Sequence, residues 1–453
     1  MITQRFLLLS LLLGSLVLIS NKVNEKVPEP YMDEIFHIPQ AMKYVQNKFS
    51  EWDDKITTLP GLYLFSYLIE HVGMNVGFFK EFMGTSGSFR SINGLFLVAL
   101  FLLFGKILHN DLRAFRLVLF PLLYFFAFLY YTDVGSCLFV CMSFYFSRKE
   151  QITTSGICAL IAVLFRQSNI IWAFWIVVSY LVEQLEKREN FEEQSLISQI
   201  WIFIKAIFAN FSRILIQFWS FVLLAIIFIL FVVWNGGLTV GDKSNHIAIT
   251  HVSQFFYFFV FSCVMEPGLL IHRCLKWKQE VKNWKGFTLS LIILTPLCAA
   301  LSYYFSYVHI FMLSDNRHYI FYLWRKFFKI HISPTIQLKY CIIYSPIYVA
   351  CLLLIYSEIR KQRSLIWTIV FICCTALNLI PLPLVEFRYF IVPFLLMNLN
   401  LKHVDSSLEI KHMHTRVDII NMVWYLLING ITIYIFLYKP FTGPDGNEAR
   451  FMW

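Results

Sequence analysis

Long apolar blocks alternate with short polar intervals along nearly the whole chain. Blocks at residues 91–108, 117–131, 134–146, 152–165, 170–182, 214–234, 247–265, 287–307, 340–356, 365–380, 389–401 and 419–438 each read as a helical span. A first block, 6–20 after Arg5, has about 15 residues against the roughly 20 that a bilayer asks for. No small-x-small cleavage site stands out near Ser20, so an uncleaved signal anchor is expected. Residues 62–79 are apolar but interrupted by Glu70, His71, Gly73 and Gly77, which predicts a helix at the membrane interface rather than a crossing. The sum is about 13 spans. Lipid admits only helices or closed barrels, and alternating strand-length segments are absent, so the fold class is an all-α polytopic membrane protein. With no repeat or low-complexity linker, one membrane domain over 1–453 is expected, with residues 22–80 forming its first polar loop and interfacial helices.

Composition strengthens this picture. Of 453 residues 58% are hydrophobic and 15% charged, where a soluble domain carries about 25% charged residues. The net charge of +10 does not point to nucleic acid, because no basic stripe or binding motif is present. It points to orientation. If the first polar loop faces away from the cytoplasm, segments 106–116, 148–149, 183–213, 273–285, 360–363 and 402–416 face the cytoplasm, and these hold the densest Lys/Arg clusters, such as RCLKWKQEVKNWK and IRKQR. Counting 62–79 as a span would turn all of them outward. The one N-x-S/T sequon, at Asn210, then lies on the cytoplasmic side, where it is not glycosylated. The ten cysteines fall in apolar blocks or beside the basic loop at Cys274, so no disulfide framework is implied.

Four loops placed outward hold nearly all the unusual polar residues. In Asp33-Glu34-x-x-His37, one helical turn puts the carboxylates and the imidazole on a shared face, which suits a general base with an orienting neighbour or, more plainly, an acidic pair capping a helix. Pro39 disfavours helix at Ile38 and opens a new helix over 40–48. In the next turn, Asp53 and Thr57 fit sugar hydroxyls, Lys55 fits phosphate, and Trp52 either stacks on a sugar face or anchors at the interface. Asp242, Lys243 and His246 follow Gly241 in a polar turn of lower specificity. Asp315, Arg317 and His318, with Arg325 and Lys326, make an outward segment basic against the positive-inside trend, which an anionic phosphate or a lipid headgroup would explain. Glu386 and Arg388 lie between apolar blocks as an ion pair or a second anion clamp. Metal binding is not expected: there is no HExxH, no paired Cys, and no Asp-x-Asp.

The segments YMDEIFHIPQA, W-x-x-KITT-x-PGLY, VGDKSNH, DNRHY-x-FY-x-W and EFRYF, in this order over nearly the whole chain, resemble the terminal α-1,2-glucosyltransferase family of the asparagine-linked glycosylation pathway. That resemblance implies a GT-C type fold in the endoplasmic reticulum membrane with the active site facing the lumen. It implies dolichyl-phosphate-glucose as donor, no cofactor, and a dolichyl-diphosphate-linked oligosaccharide that receives its third glucose. An acidic residue of the first luminal loop serves as base in this class, which maps to Asp33, with Glu34 as competitor. The rival readings are a sister enzyme that adds another dolichol-linked sugar and a polytopic lipid-linked sugar transporter. Broken mid-span helices in inverted repeats would mark the transporter.

Overall fold

The structure, a computed structural model, describes residues 2–75, 82–187, 191, 193–243, 247–280, 284–309, 314–328, 341–401, 408–443 and 446–453. It is mostly helical and divides into two compact units, one of residues 1–246 with 364–371, the other of 247–363 with 372–453.

The first unit holds α1 (Ile2–Lys26), α2 (Glu34–Val45), α3 (Gly61–Asn75), α4 (Ser86–Leu108), α5 (Asp111–Val118), α6 (Pro121–Phe126), α7 (Thr132–Arg148), α8 (Ile152–Phe165), α9 (Asn169–Glu186), α10 (Leu196–Ala209), α11 (Phe211–Gln217) and α12 (Trp219–Asn235). Local chemistry sets several ends. Thr85 caps α4 by accepting the Ser88 amide at 3.2 Å, and Asn110 caps α5 by accepting the Arg113 amide at 3.0 Å. Gly236, at φ 68°, closes α12 in the left-handed conformation that glycine adopts freely.

Three expectations need correcting in this unit. The first apolar helix runs 25 residues, because Asn21 to Lys26 continue it past Ser20. The block 117–131 is not one helix. Pro121 has no amide to continue α5 and restarts the chain as the six-residue α6. Residues 127–131 then run as a buried non-helical strap, held by Asn93, whose Nδ2 donates to the Leu129 and Tyr131 carbonyls at 2.7 and 2.8 Å. This block is apolar because it is core. The segment 183–213, read as a basic loop, contains the apolar α10, bent 77° from α11. The buried Gln199 of α10 accepts the Ile366 amide at 3.2 Å, and Glu186 accepts the Ser364 amide at 3.0 Å, so the start of helix Leu365–Leu379 is capped from outside.

The second unit holds α13 (Ser253–Met265), α14 (Pro267–Glu280), α15 (Trp284–Tyr304), the short helix Tyr319–Leu323 continued by a π turn Trp324–Phe328, and helices Cys341–Arg360, Ile391–Asn400 and Leu408–Tyr438. Its core joins Phe256, Cys298, Tyr348 and Val349. Residues 247–251, expected within a span, are outside any helix: the Ile249 and His251 amides donate to the Pro381 and Ile380 carbonyls at 3.1 and 2.9 Å. The Gln254 side chain donates to the Leu382 and Leu384 carbonyls, fixing the path into Glu386. After Tyr438 the chain makes a small antiparallel hairpin, β1 (Phe441–Thr442) with β2 (Glu448–Ala449).

Among the described residues five helices are long and apolar enough to cross a membrane, or seven if α10 with α11 and α13 with α14 are each one broken span; α8, α12 and Leu365–Leu379 are shorter apolar helices. The protein is therefore a polytopic membrane protein. Within the described residues α3 covers Gly61–Asn75, and the remainder of the block 62–79 lies outside them.

Candidate active site

The Asp33-Glu34 pair is split by its surroundings. Glu34 is fully buried and saturated. Its Oε1 accepts Arg90 Nε at 2.9 Å and the Tyr130 amide at 2.6 Å, and its Oε2 accepts Arg90 Nη2 at 2.6 Å and the Tyr31 amide at 3.0 Å. Arg90, itself buried, spends its other donors on the Val27 and Glu29 carbonyls and on Asn24. One bidentate ion pair thus ties the end of α1, the start of α2 and the buried strap to α4. Arg90 and Asn93, one turn apart on α4, hold the two sides of this junction. The α2 helix also differs from expectation. It begins at Glu34 and runs through Pro39, instead of starting afresh at residue 40.

Asp33 is half-buried at the N-cap of α2 and makes no side-chain cap bond. Its amide donates to the Tyr131 hydroxyl at 3.2 Å. The residue before it, Met32, sits at φ 54°, a left-handed backbone that an unbranched side chain adopts only at a cost and that the Arg90–Glu34 clamp holds in place. His37 follows on the next turn, with its Nδ1 2.5 Å from the Tyr63 hydroxyl. Burial, with Tyr130 and Tyr44 adding to it, pushes the Tyr63 phenol well above its usual range. The phenol therefore stays protonated.

The Trp52–Thr57 turn is pinned to α2 by the buried Gln40, which donates to the Glu51 carbonyl at 2.7 Å and accepts the Asp53 amide at 3.0 Å. Asp53 Oδ1 accepts the Lys55 amide at 2.9 Å, Lys55 is exposed, and the Thr57 carbonyl accepts Gln167 Nε2 at 2.9 Å. Trp52 meets the Tyr63 ring edge-on at 5.8 Å, and its buried indole N–H has no hydrogen-bond partner among the described residues. Gly241 lies against this turn at φ +65°, where a Cβ would sit 2.5 Å from the Asp54 and Ile56 carbonyl oxygens. That contact brings Asp242 and Lys243 to the Trp52 turn; Lys243 donates to the Asn235 carbonyl. His246 lies outside the described residues. Within the first unit the structure therefore brings His37, Trp52 and Asp53 together around Tyr63 and the Gln40 clamp, with Asp33 one turn before His37 and Gly241, next to Asp242, against the turn.

In the second unit Asp315 accepts Arg317 Nε and Nη2, each at 2.8 Å, and lies 3.9 Å from His318 Nε2. Burial raises the Asp315 carboxyl, but the Arg317 bonds and the His318 charge outweigh it and hold the group below its ordinary value. His318 Nδ1 donates to the Trp453 backbone oxygen at 2.9 Å, and residues 317–319 pair with Met452. Arg388 pairs with Glu386, and Phe387 meets Trp453 edge-on at 5.9 Å. Ile320 and Trp324 pack with Val385 and Phe387, so the segments around Arg317 and Arg388 form one cluster. Among the described residues no group of three His, Cys, Asp or Glu side chains could hold a metal ion.

The chain matches the DIE2/ALG10 family over residues 27–399, a stretch that takes in the first cluster and the 315–388 part of the second. The chain belongs to this family. Relatives named Dol-P-Glc:Glc(2)Man(9)GlcNAc(2)-PP-Dol alpha-1,2-glucosyltransferase include one from Homo sapiens at 34% identity, covering 94% of this chain and 93% of the relative. The Rattus norvegicus protein is 33% identical over 94% and 93% of the two chains, and the Arabidopsis thaliana protein 31% over 95% and 96%. No solved structure matches the chain. Within the family match, sequence reasoning missed Arg90, Gln40, Tyr63 and Gln254. Arg90 had a signal: an arginine at the mouth of an apolar span needs a buried partner. Tyr63 stood inside a motif already singled out, PGLY, without a role.

Proposed function

We propose that this DIE2/ALG10 family member is a GT-C type glucosyltransferase of the endoplasmic reticulum membrane. It transfers the third glucose in α-1,2 linkage, with inversion, from dolichyl-phosphate-glucose to the diglucosylated dolichyl-diphosphate-linked oligosaccharide in the lumen. The observation that carries this is similarity to enzymes of that name over more than nine-tenths of both chains. Among the described residues the five long helices, the two broken pairs and the three shorter apolar helices would make ten crossings, against the roughly 13 expected from the apolar blocks.

Asp33 takes the proton from the acceptor 2-hydroxyl as that oxygen attacks the anomeric carbon. The bond from that carbon to the phosphate oxygen breaks, and dolichyl phosphate leaves as an anion. Glu34 is engaged on both oxygens by Arg90 and two amides, which favours Asp33 as the base. Asp53, Trp52, Thr57, His37 and Asp242 serve sugar hydroxyls and faces, and Lys55 and Lys243 offer exposed ammonium groups to phosphate. Arg317, oriented by Asp315, and His318 neutralise the departing phosphate, with Arg388 beside them. A donor with a single phosphate has little need of a divalent ion, so no metal cofactor is proposed.

The test uses purified protein in vesicles, with dolichyl-phosphate-glucose and acceptors carrying no, one or two glucoses, with and without chelator. Elongation of the diglucosylated acceptor alone, unchanged by chelator, supports the reading. Elongation of a less glucosylated acceptor instead, or none from this donor, overturns it. Glycosylation sequons engineered near Asp54 and near Ser314 report the side: both are expected to be modified, and modification of one alone contradicts the luminal assignment.

A further inference from the structure

Residues 450–453 lie beyond the family match and are built into the second unit's polar cluster. Arg450 is buried. Its Nη1 donates to the Phe436 and Leu437 carbonyls at 2.8 and 2.9 Å, at the last turn of helix Leu408–Tyr438, and Nη2 pairs with Glu448. Phe451 stacks on Phe441 at 4.5 Å and meets Tyr322 at 5.6 Å. The Met452 amide donates to the Arg317 carbonyl at 2.9 Å, and the Tyr319 amide donates to the Met452 carbonyl at 3.2 Å. Trp453 then stands between two motifs: its ring meets Tyr319 at 5.2 Å and Phe387 at 5.9 Å, and its backbone oxygen receives His318 Nδ1.

We propose that residues 450–453 are a clasp that completes the Arg317–His318 site, with Arg450 as its anchor and Trp453 as a positioning residue for His318 and for the segment carrying Arg388. This rests on the reading of Arg317 and His318 as donor-phosphate groups. The main-chain contacts fix Arg317 on one side. The Trp453 carbonyl takes the Nδ1 proton on the other, so that His318 always turns Nε2 toward Asp315. The aromatic bridge from Tyr319 through Trp453 to Phe387 holds the Asp315–Arg317 and Glu386–Arg388 pairs in one place. A clasp of this kind acts on binding of the donor, not on the acceptor or on the base.

The experiment measures donor KM and kcat separately, at saturating acceptor, for the full-length protein and for Trp453→Ala, Trp453→Phe, His318→Ala and removal of residues 452–453. Trp453→Ala keeps the main-chain oxygen that His318 meets but removes the ring between Tyr319 and Phe387, so it is expected to raise the donor KM about tenfold with kcat nearly kept, the worth of a pair of aromatic contacts. Trp453→Phe, which retains a ring and the carbonyl, is expected to restore most of that loss. Removing residues 452–453 on top of His318→Ala is expected to raise the donor KM further, because the clasp also holds Arg317 through Met452 and Phe387 through Trp453. Where the truncated protein melts early, a peptide of residues 446–453 is added back, and recovery of donor KM supports the clasp. Donor KM unchanged in the tail variants, or KM and kcat falling alike without peptide rescue, overturns it. Failure of the underlying reading shows differently: Arg317→Gln then leaves the donor KM at the wild-type value.

Discussion

The two adjacent carboxylates should fail in opposite ways when removed. Glu34→Ala deletes a group that accepts four N–H bonds inside the protein and leaves Arg90, 2% exposed, charged and without its carboxylate. Breaking a buried ion pair from one side costs roughly 3–5 kcal/mol. The Tyr130 and Tyr31 amides lose their acceptor at the same time, so the upper part of that range is expected. Asp33→Asn keeps the side-chain shape and the amide bond to Tyr131, and its stability should stay within about 0.5 kcal/mol of wild type. Its transfer rate should instead fall by about 10²–10⁴, the contribution of a positioned general base.

The assay pairs thermal unfolding of detergent-purified protein, followed by tryptophan fluorescence, with single-turnover glucosyl transfer below every midpoint. Glu34→Leu combined with Arg90→Met supplies the control, because replacing both charges by apolar groups of similar volume should recover much of the stability lost in Glu34→Ala. The reasoning is refuted if Glu34→Ala melts with wild type, or if Asp33→Asn melts as early as Glu34→Ala. Full transfer by Asp33→Asn would remove Asp33 from the chemistry.

Gly241→Ala places a Cβ 2.5 Å from two backbone oxygens at a left-handed position, so it should displace the Trp52 turn and raise the acceptor KM while the melting point of the protein moves little. Tyr63→Phe removes the partner of His37 Nδ1; the transfer rate should drop about 2–10-fold, the worth of one hydrogen bond, and wild-type kinetics would dismiss the pair. Burial lowers the His251 imidazole from 6.5 to about 4. The unfolded chain then takes up a proton between these values while the folded chain does not, so stability is full above pH 6.5 and declines toward pH 4 by up to ~3 kcal/mol. A His251→Gln variant should lose that slope in pH-dependent melting, and an unchanged slope would assign it to other groups.

Much of the architecture was legible because apolar length is a strong signal. α8 spans the very residues its block predicted, α4 begins five residues earlier than its block and ends with it, and α7 and α9 extend theirs at both ends. Legibility failed where burial in protein imitates burial in lipid. Residues 117–131 are as apolar as any span, yet they bend at Pro121 and pass through the first unit's interior as a strap. Composition cannot separate the two cases, since both remove the side chains from water. Legibility failed again for α10, whose exposed Ile197, Trp201 and Phe208 form an apolar stripe that the surrounding charges concealed. At the site, spacing drew attention to Asp33, Glu34 and His37, but it could not divide the carboxylates. That division depends on Arg90, 56 residues away along the chain, and on a backbone amide of the buried strap.

Loop charge gives the sharpest case of a sequence argument that needs restating. The outward basic residues were counted as an excess seeking an anion. Each of three arginines in the second unit instead meets an acid two positions earlier: Asp315 with Arg317, Glu386 with Arg388, and Glu448 with Arg450. The Asp315 pair takes up Arg317 while Arg325 and Lys326 keep that segment basic, so charge by itself does not say which arginine meets phosphate. Exposure and orientation do. The three arginine side chains are 39%, 17% and 7% exposed in that order, so they are graded from a guanidinium that can meet a ligand to one spent on structure. A carboxylate that grips Nε and Nη2 fixes the plane of the Arg317 guanidinium without burying it, which is how a recognition arginine is pre-oriented at low entropic cost. Arg450 has the same local sequence logic and the opposite environment, closing a helix end. The acid-x-Arg pattern therefore predicts a pair; only the fold around it decides whether the pair binds or braces.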